Sequence, residues 1–162
     1  VNEKDEPITL KYRGDVERED IYRVSALWLT NTKGDILLAQ RSFSKKNDPW
    51  LWGPAVAGTI EEGETYESNM YKEAEEEIGL TCIVFKKAFH RLDEGRRRHF
   101  TQWFTATIDR EVSAFTIQEE EVEQVKWFTR EELDNELRER PEQFLKKMPE
   151  LIELLTPGKE TE

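Results

Sequence analysis

Glu73, Glu76 and Glu77 follow one another at i, i+3 and i+4. On a helix this spacing sets all three carboxylates on one face, within a turn of each other. Like charges that close repel, so a helix alone gains nothing from the grouping. A hard divalent cation reverses the sign of that interaction, because such an ion takes oxygen ligands and binds through carboxylates and substrate phosphates together. The chemistry this points to is the binding of a divalent cation together with substrate phosphates. The competing reading is a solvated acidic face in an acidic chain.

The residues before and after this triplet favour the first reading. Gly58 and Gly63 flank Thr59, Ile60, Glu61 and Glu62, and Glu64 leads into Thr65. That is a glycine-punctuated loop feeding a helix start, with Thr65 or Ser68 as the cap. Gly79 stands where a helix ends on a left-handed glycine. A loop, a capped helix and a terminal glycine hold a carboxylate cluster at a fixed position.

Residues 58–80 resemble the Nudix box, whose pattern is Gly, five residues, Glu, seven residues, then Arg-Glu-apolar-any-Glu-Glu-any-Gly-apolar. Gly58, Glu64, Glu73, Ala74, Glu76, Glu77, Gly79 and Leu80 all fall in place without a gap, and Lys72 stands where the family has Arg. The resemblance implies an α/β/α sandwich around a mixed sheet. It implies Mg²⁺, with Mn²⁺ as an alternative, held by Glu76 and Glu77 at the centre, by Glu73, and by the backbone carbonyl of Ala57 or Gly58. Glu64 then serves a structural role. Lys72 supplies the charge of the family arginine but not its planar fork. A further glutamate outside the box often serves as base or ligand in the family. Glu121 is the choice here, with Glu119 and Glu120 as alternates, and Glu73, Glu77 and Glu121 form the catalytic set.

Substrate contacts are sought in the loops beside the box. Arg41, Lys45 and Lys46 form a basic stretch able to grip phosphates, against the reading of ordinary surface charge. Trp28, Trp50, Trp52 and Trp103 are candidates to stack on a base; most are expected in the core, and Trp50 and Trp52, in the loop next to the box, are favoured. Arg96, Arg97 and Arg98 read as loop solubility, and His90 and His99 as ordinary. Cys82, the one cysteine, is expected as a buried small hydrophobe on an apolar strand and excludes an intramolecular disulfide.

The elements that must position these residues follow from pattern. Strands are expected over residues 8–13, 21–29, 35–41, 55–57, 82–91, 100–108 and 122–128, with a turn at residues 31–34. Thr129 and Glu132 cap a helix. Pro141 opens a last helix whose stripe is Phe144, Leu145, Met148, Leu151, Ile152 and Leu155, interrupted at Pro149. Strands and helices mix without strict alternation, as in an α/β protein with helices on both faces of a sheet.

The chain has 162 residues with a net charge of −11, and hydrophobic and charged residues are 36% each. One domain over residues 1–162 is expected, with residues 1–7 and 156–162 flexible. So acidic a chain disfavours nucleic-acid polymers as partners, whereas a small phosphorylated substrate can be bridged by metal. No apolar run long enough to cross a membrane and no signal peptide is visible, so the expectation is a cytoplasmic monomer or homodimer.

Residues 37–58 also resemble isopentenyl diphosphate isomerase. That resemblance requires an essential cysteine immediately before the box glycine and a histidine after it. Ala57 and Thr59 stand there instead. A non-catalytic nucleotide-binding module of the same fold is the third reading, although all the box glutamates are present. The expected activity is metal-dependent pyrophosphohydrolysis of a nucleoside diphosphate derivative.

Overall fold

The computed structural model describes residues 1–156. Its centre is β1 (Ile21–Thr30), a ten-residue strand with five consecutive buried residues. Such a run suits a strand covered on both faces. Asn31 Oδ1 accepts from the amides of Lys33 and Asp35, and Gly34 adopts φ 87°, closing a tight turn into β2 (Ile36–Arg41). The short strands β3 (Trp52–Pro54) and β4 (Val56–Thr59) follow, then α1 (Tyr66–Ile78). A hairpin of β5 (Lys86–Glu94) and β6 (Arg98–Thr107) precedes β7 (Val122–Phe128), α2 (Arg130–Glu139) and α3 (Met148–Leu155).

The sheet has seven strands. The main path runs β3-β2-β1-β6-β5, with β4 pairing to β1 and β7 to β2. β1 and β6 are parallel from Ile21–Arg98 through Thr30–Thr107, and the other pairings are antiparallel. Side chains alternate along β1. Leu27 and Leu29 enter a core with Met70, Ala74 and Ile78 of α1 and Phe104 of β6. Ala26 and Trp28 enter a second core with Trp103, Leu133 of α2, and Met148, Leu151 and Ile152 of α3. The sheet therefore lies between α1 on one face and α2 with α3 on the other, the expected α/β/α sandwich. Among the described residues no helix is long and apolar enough to cross a membrane.

Several local expectations are corrected. Residues 8–13 form no strand. Ile8, Leu10 and Tyr12 stay exposed, and a short 3-10 turn (Arg13–Asp15) follows, because no partner strand or core is offered to their alternating side chains. The strand expected over residues 82–91 starts only at Lys86. Cys82 lies before it with φ 59° and is exposed rather than buried. Pro149 interrupts nothing. It sits in the first turn of α3, where its missing N–H leaves no bond unmade. Pro141 heads only a 3-10 turn (Pro141–Gln143), and Phe144 then bridges in parallel to Trp52. Within residues 1–7, the Val1 amino group donates to Ile21 O, and Asp5 pairs with Arg23. The tail expected to be flexible falls, beyond Thr156, outside the described residues.

Candidate active site

α1 begins on a reciprocal cap. The Ser68 amide donates to Thr65 Oγ1 and the Thr65 amide to Ser68 Oγ. It ends at Gly79, with φ 65°, whose amide donates to Glu75 O while that of Leu80 reaches back to Ala74 O. This closes the helix on a left-handed glycine cap. Two of the last helical carbonyls are satisfied from outside: the Thr116 amide donates to Ile78 O and the Gln118 amide to Glu77 O. Residues 116–118 are thus laid along the C-terminal turn of α1. Glu121 follows a turn in which its amide donates to Gln118 O.

That arrangement brings Glu121 to Glu77. Glu77 is buried, with 7% of its surface exposed. Burial, then the charges of Glu73 and Glu121, push its carboxyl up to about 8, while the Ala57 backbone N–H and Lys45 pull the other way. A carboxylate this far above its ordinary range lacks a sufficient counter-charge. Glu73, half-buried, is raised first by burial and further by Glu76 and Glu64, against Lys72 and Asn69. Glu76 shares their face of the helix but is exposed. Gly58 of β4 lies directly against Glu73, and Ala57 precedes it on the strand.

Asn69 is the residue that pattern reading missed. It is fully buried. Its Nδ2 reaches Glu64 Oε2 at 2.8 Å, Thr59 O at 3.1 Å and Glu73 Oε1 at 3.3 Å, while its Oδ1 accepts from Ser25 Oγ. It ties loop, helix and β1 together. The available signal was a polar side chain four residues before Glu73, on the same helical face. Lys72 pairs with a box glutamate, Glu64. Its Nζ lies 3.0 Å from Glu64 and 3.1 Å from Glu61, so it braces the loop, and Asn69 makes the hydrogen bond to Glu73.

The substrate candidates separate. Lys45 pairs with Glu121, and the Ser42 amide donates to Glu121 O, so the basic loop is stitched to the turn carrying that glutamate. Arg41 directs its guanidinium to the carbonyls of Asn47 and Asp48 and shapes the loop from within. Lys46 is exposed. Trp50 is half exposed, with φ 65°, and its ring centroid lies 6.3 Å from that of Phe43. Trp52 is corrected to a core residue: it is buried edge-on to Phe128, unavailable to a base.

As they stand, no three acidic, histidine or cysteine side chains among the described residues close into a metal cage. The donors nevertheless suit a hard cation. They are carboxylate oxygens with excess negative charge, beside the backbone of Ala57 and Gly58.

A mixed sheet between helical layers, with a loop-and-helix carboxylate cluster at one end of β4, defines a class of phosphate-anhydride hydrolases. Residues 21–148 match the NUDIX domain. An uncharacterized Nudix hydrolase of Listeria monocytogenes is 29% identical over 118 residues, covering 71% of this chain and 68% of that protein. An isopentenyl-diphosphate Delta-isomerase of Corynebacterium diphtheriae is 26% identical over 139 residues, covering 78% and 73%. The crystal structure of DR0079 from Deinococcus radiodurans superposes with a TM-score of 0.78 at 23% identity, covering 94% of each chain. The chain belongs to the Nudix family and is a Nudix hydrolase.

Proposed function

We propose that this hydrolase cleaves the diphosphate linkage of a nucleoside diphosphate derivative and depends on a divalent cation, Mg²⁺ or in its place Mn²⁺. The observation that carries the reading is Glu77: a buried carboxylate with two further carboxylates within Coulombic reach. Nothing in packing explains grouping three acids around a buried position, because burying uncompensated charge is costly. Glu73, Glu76 and Glu77, with the backbone carbonyl of Ala57 or Gly58, would hold the cation. The bound ion supplies charge neutralisation at the diphosphate and acidity to a water ligand.

The chain's own residues do the rest. Asn69 fixes Glu73 by a hydrogen bond and so presets the donor positions. Glu121, which follows the segment 116–118 bound to the end of α1, would accept a proton from water. Lys45 and the exposed Lys46 lie on the loop beside Glu121 and offer cationic contacts to phosphate oxygens outside the carboxylate cluster. The reading extends to one domain over residues 1–162 acting in the cytoplasm as a monomer or homodimer.

Isomerisation of isopentenyl diphosphate is disfavoured at Ala57. Protonating an alkene requires a positioned acid, and a methyl side chain offers none. The test is a substrate panel of dinucleotides, nucleoside diphosphate sugars and nucleoside triphosphates, each with Mg²⁺ or Mn²⁺. Release of a phosphorylated product from at least one is expected, with isopentenyl diphosphate unchanged by proton NMR. Formation of the dimethylallyl isomer above the no-enzyme control overturns the assignment.

A further inference from the structure

Among the described residues, Lys45 pairs directly with a carboxylate of the cluster, Glu121. Glu73, Glu77 and Glu121 come from two different elements, and the negative charge of Glu73 and Glu121 is felt at Glu77. Lys72 has its Nζ on Glu61 and Glu64, on the loop side of the cluster. Lys45 is the ammonium that pairs with Glu121, and its charge also acts on Glu77. It is partly buried, with 22% of its side chain exposed. Its loop is fixed rather than free: the Ser42 amide donates to Glu121 O at 3.0 Å, the Lys45 amide donates to Ser42 O at 3.2 Å, and Arg41 holds the far side through Asn47 and Asp48. A lysine stem is flexible where its backbone is fixed, so the ammonium can leave Glu121 without the loop moving.

We infer that Lys45 is a built-in counter-ion: it holds the position of positive charge at Glu121, gives it up when a divalent cation binds, and turns to the substrate's phosphate oxygens. The inference rests on the metal-dependent reading of the same site. Its physical basis is competition. An ammonium and a divalent ion that neutralise the same carboxylates repel each other, so each weakens the other's hold by the same factor. In the metal-free protein the lysine limits the repulsion among the acids. In the metal-bound protein it is released beside the place where a diphosphate must lie, and a cation that rewards substrate only after metal has bound imposes an order on the two events.

Three measurements, none of which needs turnover, test this. Mn²⁺ binding, followed by the EPR signal of the free ion, is compared between the wild type and Lys45→Gln; tightening on the order of tenfold in the variant is expected, within the usual range of coupling between neighbouring sites. With Mn²⁺ saturating, methylenediphosphonate should bind the variant more weakly than the wild type, the opposite sign. Acetylation of Lys45 in the wild type, read by mass spectrometry against the exposed Lys86, should accelerate when Mg²⁺ is added. Equal or weaker Mn²⁺ binding by the variant, or a labelling rate at Lys45 that Mg²⁺ leaves unchanged or slows, overturns the inference while the metal-dependent reading stands. Absence of Mn²⁺ binding to both proteins overturns that reading and the inference with it.

Discussion

Gly58 and Glu73 occupy space that admits no further carbon between them. A Cβ on Gly58 would stand 2.2 Å from Glu73 Cγ and 2.4 Å from its Cδ. Gly58→Ala must therefore push the Glu73 side chain out of its hydrogen bond with Asn69. The variant is expected to lose about 1–3 kcal/mol of stability, the usual cost of overpacking, read as a lowered urea midpoint. Turnover should fall at least about tenfold, since 1.4 kcal/mol at the barrier has that effect.

Glu77→Gln separates charge from shape. The amide fills the same buried space but cannot serve as an anionic ligand. Turnover on any substrate the panel identifies should fall by at least about a hundredfold, while the thermal midpoint of the metal-free protein should not drop. Wild-type turnover in this variant would remove the cluster as the active site. Glu76 is exposed, so Glu76→Gln should leave folding untouched, and a hundredfold loss there too would show that it shares the ligand role.

Lys72 and Asn69 exchange the importance their types suggest. Lys72 braces the loop through Glu61 and Glu64, so Lys72→Arg should keep turnover within a few-fold of wild type. Asn69→Ala strips the buried hydrogen bonds to Ser25, Glu64 and Glu73. A stability loss of about 1–3 kcal/mol is expected for polar groups left unsatisfied, together with a fall in kcat. Chemical denaturation and steady-state kinetics on the two variants decide the matter.

A second acidic centre governs stability in acid, far from the carboxylate cluster in sequence. Asp93 is buried and accepts from Thr101 Oγ1 at 2.7 Å and Lys147 Nζ at 2.6 Å. Burial alone would raise its carboxyl, but Lys147 and Thr101 outweigh burial and hold it below the usual range. A depressed carboxyl contributes stability above its unfolded value, and that contribution is lost as pH falls through the folded value. His99, beside it, is held below 6.5, chiefly by burial. Its neutral form is preferred in the fold, so the fold weakens as pH drops below the ordinary imidazole value. Glu77, pushed up to about 8 chiefly by burial, works in the opposite sense and adds stability as pH falls, so the His99 contribution is read as a difference between two proteins. The urea midpoint of His99→Gln should gain on that of the wild type as pH falls from 7 to 5, and both should fall in strong acid. A difference that does not change with pH would assign the effect elsewhere.

What was readable in the sequence is what local spacing controls. The box loop, the Thr65 and Ser68 caps, the Gly79 stop and the apolar run of β1 are set by neighbours within a few residues, and the sandwich was implied by the resemblance that residues 58–80 carry. What was not readable depends on partners far along the chain. Whether Trp52 faces solvent is decided by Phe128 and Phe144. Residues 8–13 alternate like a strand but meet no edge. Cys82 lies in the apolar run yet precedes the strand, because the chain is still turning after Gly79. Asn69 carries no motif at all: its importance is visible only once β1 supplies Ser25 and the loop supplies Glu64.

The long parallel pairing of β1 with β6 sets how this molecule must assemble. Ile21 meets Arg98 and Thr30 meets Thr107, so the centre of the sheet cannot form until most of the chain has been made. The β5–β6 hairpin, the β1–β2 turn and α1 on β4 are short-range units able to form early, but joining β1 to β6 closes a loop that contains all of them. Non-local pairing of this kind slows folding. Until it closes, the five consecutive buried residues of β1 are exposed beside an unpaired edge. Refolding should therefore show a slow final phase whose yield falls as protein concentration rises.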